Sequence, residues 1–309
     1  MADTVEHPFG GAWTESKLAI VNAYARAFQS ALKNTQFENW YIDPFAGTGE
    51  RVEKRLGGGL LEGKALEEEL VRFAGSAKLA LEVEPPFDHY RFADTKTTHV
   101  EALQRLKAQY AGRDIQIFPG DGNECVKKIV GNRLWTGRET AWKQRGIVFL
   151  DPYGMNVAWE TLRLIAKTER LDVWFLFAAK AVRQQLGPSL DRVDEGKAAA
   201  LDRFFGEATW RGEFFRTIPG QTGLFGTEAD QTETAATLKA IGEYAKKRFE
   251  SIFCWVSPPQ SLTVRNVRDY FQLYCMTNNH SEKALQLIKR LHAAVLKAHE
   301  PASRHKSGR

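Results

Sequence analysis

WYIDPFAGTG, residues 40–49, decides the reading of this 309-residue chain. Trp40, Tyr41 and Ile42 form a short apolar run of the kind that makes a buried strand, and Asp43 stands at its carboxyl end. Pro44, Phe45 and Ala46 lead into a turn bracketed by Gly47 and Gly49, with Thr48 between them. Glycines at those positions let backbone approach a ligand without interference from a Cβ. A dinucleotide fingerprint needs a third glycine in G-x-G-x-x-G, but Val52 occupies that place and residues 51–55 are mostly charged or long. A pyrophosphate cradle is therefore disfavoured. Proline and phenylalanine ahead of the first glycine suit the wall of a pocket for adenosine and a charged thioether, which makes S-adenosylmethionine the expected cofactor.

Composition narrows the class further. With 43% hydrophobic and 26% charged residues the chain matches a soluble globular protein of one large α/β domain or two modest ones. No run approaches the roughly 18 apolar residues of a membrane helix, and MADTVEHPFGG at the start lacks the apolar core of a signal peptide. A cytoplasmic protein with no membrane partner is expected. Cys125, Cys254 and Cys275 are too few and too scattered for a disulfide framework or a zinc or iron–sulfur site, so they read as buried small hydrophobes and no metal is expected. The net charge of +5 points weakly to anionic partners. From Lys289 onward Arg290, Lys297, Arg304, Lys306 and Arg309 face a single acid, Glu300, and residues 300–309 form a basic polar tail.

Along the chain, helix and strand signals alternate. Thr14 or Ser16 is placed to cap a first helix, 14–32, in which Leu18, Val21, Ala25 and Phe28 recur at helical spacing. Residues 51–72 read as a loop plus a short amphipathic helix inserted after the glycine turn. Ser76 is expected to cap a helix through Leu81. Strands follow at His89–Ala93, Ile115–Phe118, Gly146–Leu150 and Val173–Phe177, with helices at Val100–Tyr110, Glu124–Val130 and Trp159–Lys167 between them. That rhythm predicts a doubly wound, Rossmann-like α/β sheet in a single domain, mostly parallel. It breaks at residues 180–231, read as a lid-like helical insertion. A helix at 235–249, strands Ile252–Val256 and Phe271–Met276 as a hairpin, and a last helix Ala284–Leu296 close the sheet with an antiparallel terminal pair, an ending typical of a methyltransferase.

Ligands of such sheets sit outside the carboxyl ends of the strands, and four aspartates occupy those ends: Asp43, Asp94, Asp121 and Asp151. Asp94 is placed to accept hydrogen bonds from ribose hydroxyls. Asp121 or Asn123, flanking Gly122, is placed for the adenine amino edge, and the turn at 43–49 for the methionine part, with Asp43 facing its cationic amine. Lys17 is expected to reach the cofactor's carboxylate. The chemistry is assigned to Asp151, Pro152, Tyr153 and Gly154, an aspartate–proline–aromatic turn after a buried strand. The Asp151 carboxylate and Pro152 carbonyl would accept the protons of a planar amine, and Tyr153 would stack on the base that carries it. Gly154 stands where many amino-methyltransferases place a second proline or the aromatic. Trp135 and Trp142 interleave with Arg133, Arg138, Lys143 and Arg145 in a stretch suited to nucleic acid, and somewhat better to an ordinary exposed loop with two anchoring tryptophans. His280 reads as the neighbour of a helix cap.

The order Trp13-x-x-x-Lys17, YIDPFAGTG, FAD, GDGN, FLDPYG and TNNH resembles the three-Cys-motif partner proteins, TcmP, over most of the chain. That resemblance implies the fold of class I S-adenosylmethionine-dependent methyltransferases and a partner protein carrying three cysteines of a radical-S-adenosylmethionine-like motif. The DPYG turn is also similar to the DPFG turn of tRNA guanine dimethyltransferases, which act on an exocyclic amine. Methylation of an exocyclic amine in DNA or RNA is the leading expectation. The rival is a methyltransferase-fold module that binds its partner and transfers no methyl group itself.

Overall fold

The computed structural model describes residues 12–48, 50–57, 67–219, 222–223, 226–227 and 231–299. Its frame is one eight-stranded sheet, whose strands are labelled here in chain order: β1 Glu38–Asp43, β2 His89–Asp94, β3 Asp114–Pro119, β4 Gln144–Leu150, β5 Leu171–Phe177, β6 Trp255–Val256, β7 Gln260–Val264 and β8 Val267–Thr277. Spatially they run β6, β8, β5, β4, β1, β2, β3, with β7 also paired to β8. β1 through β5 are parallel, while β8 lies antiparallel to β5 and both β6 and β7 lie antiparallel to β8. This is the expected Rossmann-like, mostly parallel sheet with an antiparallel ending.

β1, β4 and β5 are central because they are apolar on both faces, as a strand covered by helices on each side must be. Alternate residues feed separate cores. Tyr41, Ile147, Phe149 and Trp174 pack with the helices Ala12–Leu32 and Glu282–His299, while Trp40, Ile42, Val148 and Phe175 pack with helices on the other face. Burying each such side chain stabilises the fold by about 1.5–3 kcal/mol. Among the described residues no helix is long and apolar enough to cross a membrane.

Several local expectations are corrected. The first helix already runs at Ala12, so Thr14 and Ser16 lie within it rather than capping it. Gly75, not Ser76, is the cap position of the helix Ser76–Leu81. Around the segment 51–72, read as a loop with a short helix, Glu50–Gly57 pairs antiparallel to Glu67–Ala74, while residues 58–66 lie outside the described residues. β7 was not anticipated, and β8 begins four residues before the expected strand. The helices expected to form a lid are core elements: Val182, Leu186, Leu201 and Trp210 are fully buried, and Phe204 stacks on Phe177. Phe215–Ile218 then pairs with Gln231–Thr234. The basic tail 300–309 lies outside the described residues.

Candidate active site

Strand order places the site. The chain winds from β1 outward through β2 and β3, then returns to lay β4 on the other side of β1, so the order reverses between β1 and β4. A crevice forms at such a switch point, outside the carboxyl ends of the strands. Asp43 ends β1, and Asp151 follows directly on β4.

The turn after β1 is held by its neighbours' backbone. Pro44 and Ala46 are buried, and Phe45 and Thr48 are half-buried. The Ala46 N–H donates to the Ala93 carbonyl at 3.0 Å, and the Gly47 N–H donates to Asp94 Oδ2 at 3.1 Å. Gly47 has φ +61°, a conformation that favours glycine, and, its chain neighbours aside, no atom of the described residues lies within 4 Å of where its Cβ would stand. Gly120, at φ +127°, faces similar open space. Gly122 is the opposite case: a Cβ there would meet the Pro44 carbonyl at 2.4 Å and the Phe45 ring at 2.8 Å. Glycine is required so that the helix Gly122–Val130 can start against the turn. Gly49 lies outside the described residues, and the Trp13 side chain is likewise not described.

Asp43 is fully buried, and its Oδ1 accepts the Phe45 N–H at 3.2 Å while Oδ2 has no hydrogen-bond partner among the described residues. Burial pushes its carboxyl up to about 7; the Ser76 hydroxyl pulls it back, the negative Asp151 raises it further, and the Phe45 N–H and Lys17 lower it. Asp94 accepts the Gly47 N–H on one oxygen and the Lys96 N–H at 2.8 Å on the other. His99 Nδ1 stands 3.1 Å from Asp94 Oδ2, at an angle that makes no hydrogen bond. Asp121 caps its helix, accepting the N–H groups of Asn123 at 2.9 Å and Glu124 at 3.2 Å.

Two expected cofactor ligands are engaged elsewhere. Lys17 is 4% exposed, and its ammonium sits 2.5 Å from Asp151 Oδ2. A cation so buried needs a counter-charge within the protein. The Asn123 amide donates to the Asn156 carbonyl at 2.9 Å and accepts the Ala158 N–H at 2.8 Å and the Thr161 hydroxyl at 2.7 Å. It clamps the loop after β4 and is not aimed at an adenine edge. Only its place beside GDG was readable from sequence; its partners lie more than thirty residues away.

The loop itself presents chemistry outward. Pro152 is buried, the Asp151 side chain is 23% exposed, and Tyr153 is 77% exposed. Gly154 has φ +61°, which excludes the second proline found in many amino-methyltransferases, since proline is fixed near −65°. Arg203, from the segment expected to form a lid, reaches the Met155 carbonyl at 3.4 Å.

The remaining candidates fall away from this site. Trp135 is a core residue at 1% exposure, so it stacks on no ligand. Trp142 is exposed but stands just before β4, at the amino end of the strand, about 20 Å from Asp151 along a seven-residue strand. Cys125 and Cys275 are buried as expected, whereas Cys254 is exposed. Among the described residues no cluster of metal-ligating side chains occurs.

No family model matches the chain, and no curated protein does. Solved structures with a similar course include a Legionella pneumophila protein at 12% identity, covering 92% of both chains with TM-score 0.42. Spermidine synthase from Thermotoga maritima is 11% identical and covers 92% of this chain and 71% of its own, with TM-score 0.39. An S-adenosylmethionine-dependent methyltransferase from Clostridium acetobutylicum is 10% identical and covers 85% and 91%, with TM-score 0.34. At such scores the likenesses say nothing about chemistry.

Proposed function

We propose that the chain is an S-adenosylmethionine-dependent methyltransferase whose target is an exocyclic amine of a nucleic-acid base. The observation that carries the proposal is the juxtaposition, across the switch point, of an Asp-Pro-Tyr turn after β4 with the glycine turn after β1. The fit to the cofactor is supported by the space that the described residues leave open over Gly47 and Gly120 and by Asp43 Oδ2, a buried acceptor with no hydrogen-bond partner among them. In this reading Asp43 through Thr48 hold the methionine part. Asp94, with two backbone donors on a carboxylate that has about four lone-pair sites, retains capacity for ribose hydroxyls. Asp121 remains the candidate for the adenine edge, and Asn123 and Lys17 are withdrawn from the ligand set.

The cofactor, when bound, supplies an electrophilic methyl group on a sulfonium. The protein's part is to make a poor nucleophile competent. An aryl amine's lone pair is delocalised into its ring, so N–H bonds donated to the Asp151 carboxylate and the Pro152 carbonyl favour the pyramidal, attacking form. Lys17 fixes Asp151 Oδ2 and leaves Oδ1 to accept the amine. The exposed Tyr153 ring stacks on the base, a contact worth roughly 1–3 kcal/mol. A base within a duplex must flip out to arrive there. Positioning and exclusion of water supply the rest of the rate.

Membership of the TcmP family, proposed on the motifs, adds a three-cysteine partner protein, which co-purification from cells would reveal. Titration calorimetry with S-adenosylmethionine tests the cofactor assignment: wild type binds, and Gly47→Val, which forces a branched residue to φ +61°, does not. No heat from wild type at about 1 mM ligand, a concentration that detects even weak sites, would sink it.

A further inference from the structure

At the amino ends of β4 and β5, the opposite edge of the sheet from Asp151, a cavity of about 310 Å³ opens between the helices Ala12–Leu32 and Glu282–His299. Its walls are apolar, built from Phe28, Leu32, Leu287 and Leu291. Its charged lining is unbalanced, with Arg145, Arg170 and Lys283 against the single acid Asp172. Arg145 spends one nitrogen on the carbonyls of Trp142 and Gln144, and its guanidinium lies over the Phe37 ring at 4.0 Å. Among the described residues the Arg170 guanidinium reaches only the Glu169 carbonyl at 3.4 Å, and its buried Nε has no hydrogen-bond partner.

Neither guanidinium forms an ion pair among the described residues, and the two repel one another: burial first, then Arg170, lowers the Arg145 pKa to about 10. Asp172, whose charge raises the Arg145 pKa, relieves the pair only in part. It is fully buried, accepts the Tyr24 hydroxyl at 2.7 Å, and is pushed up to about 6 by burial. Two half-buried guanidiniums that share one carboxylate at the end of an apolar cavity leave an excess positive charge that a further anion would offset. The planar fork of arginine matches a carboxylate.

We propose that this cavity is a ligand site, separate from the switch-point crevice, for an amphipathic carboxylate: the head on Arg145 and Arg170, the apolar body along Phe28, Leu32, Leu287 and Leu291. Its volume lies at the small end of ligand pockets and suits a body of about ten carbons. The site does not depend on the methyltransferase reading, because none of its residues belongs to that centre.

Titration calorimetry on the full chain with decanoate, decanol and inorganic phosphate tests it. Decanoate binds with a Kd below about 100 µM, decanol at least about tenfold more weakly, and phosphate undetectably, because both head and body are needed. Arg170→Met, which removes one charge, and Leu287→Trp, which fills the cavity, each weaken decanoate about tenfold or more while circular dichroism and melting stay near wild type. A diazirine-bearing fatty acid on the wild-type chain labels peptides within 24–37 or 279–291, a readout that requires no variant to fold. Absence of decanoate binding at about 1 mM, equal binding of decanol, undiminished binding by the folded variants, or labelling confined to other peptides overturns the proposal.

Discussion

The two ends of the central sheet carry opposite charges under opposite conditions. At the carboxyl ends stand Asp43, Asp94, Asp121 and Asp151, and each has a donor within the chain: the Phe45 N–H, the Gly47 and Lys96 N–H groups, the Asn123 and Glu124 N–H groups, and Lys17. At the amino ends Arg145 and Arg170 are half-buried without an ion pair among the described residues. Fixed acids make a site whose geometry is set before any ligand arrives. Unmatched cations make one whose electrostatics improve only when a ligand does arrive.

The sharpest way to break the ordered end is to remove its buried cation. Lys17→Met leaves Asp151 without its partner and close enough to raise the Asp43 carboxyl further. Breaking a fully buried pair costs about 3–5 kcal/mol, but Asp151 is 23% exposed, so a loss of about 2 kcal/mol is expected in denaturant unfolding. An unchanged midpoint would mean that the pair is not structural.

At the other end, Asp172 sets a pH dependence. Its folded carboxyl is raised to about 6 against about 4 when unfolded, so between those values the native state holds a proton that the unfolded chain has lost. Stability from this group is complete below pH about 4, falls as pH rises to about 6, and is level beyond, a loss on the order of 2–3 kcal/mol. Asp172→Asn removes that slope, leaving the Asp43 contribution of the same sign, which runs on to pH about 7. Melting curves at successive pH values check it; a slope unaltered by the substitution would assign the effect elsewhere.

The smallest effect on stability belongs to Tyr153. At 77% exposure, its replacement by alanine changes unfolding free energy by less than about 0.5 kcal/mol. Loss of stacking instead raises KM for a nucleic-acid substrate about tenfold, with a smaller change in kcat. A KM at the wild-type value would remove Tyr153 from the base pocket.

What sequence made legible, and what it did not, follows the range of the interactions. β1, β4 and β5 announce themselves because a strand buried on both faces must be apolar throughout, and Asp43 and Asp151 follow from where those strands end. Glu50–Gly57 and Glu67–Ala74 pair across charged segments that carry no apolar alternation, so EGKALEEEL reads as helix. QSLTV in β7 is too short and polar to stand out. Sequence places Lys17 on the first helix, but its burial and its partner, 134 residues away, come only from the fold. Asn123 looked like a ligand for the same reason: its side chain's partners are loop and helix groups that only the folded chain brings within reach.

The central claim is methyl transfer governed by Asp151. Purified wild-type and Asp151→Ala proteins, each incubated with isotopically labelled S-adenosylmethionine and with total RNA or DNA, are compared by mass spectrometry of the digested nucleosides. The account predicts a labelled, N-methylated base with wild type and none with Asp151→Ala, while calorimetry gives both proteins the same cofactor affinity within a few-fold. Label appearing equally with both proteins, or with neither while both bind the cofactor, would contradict it.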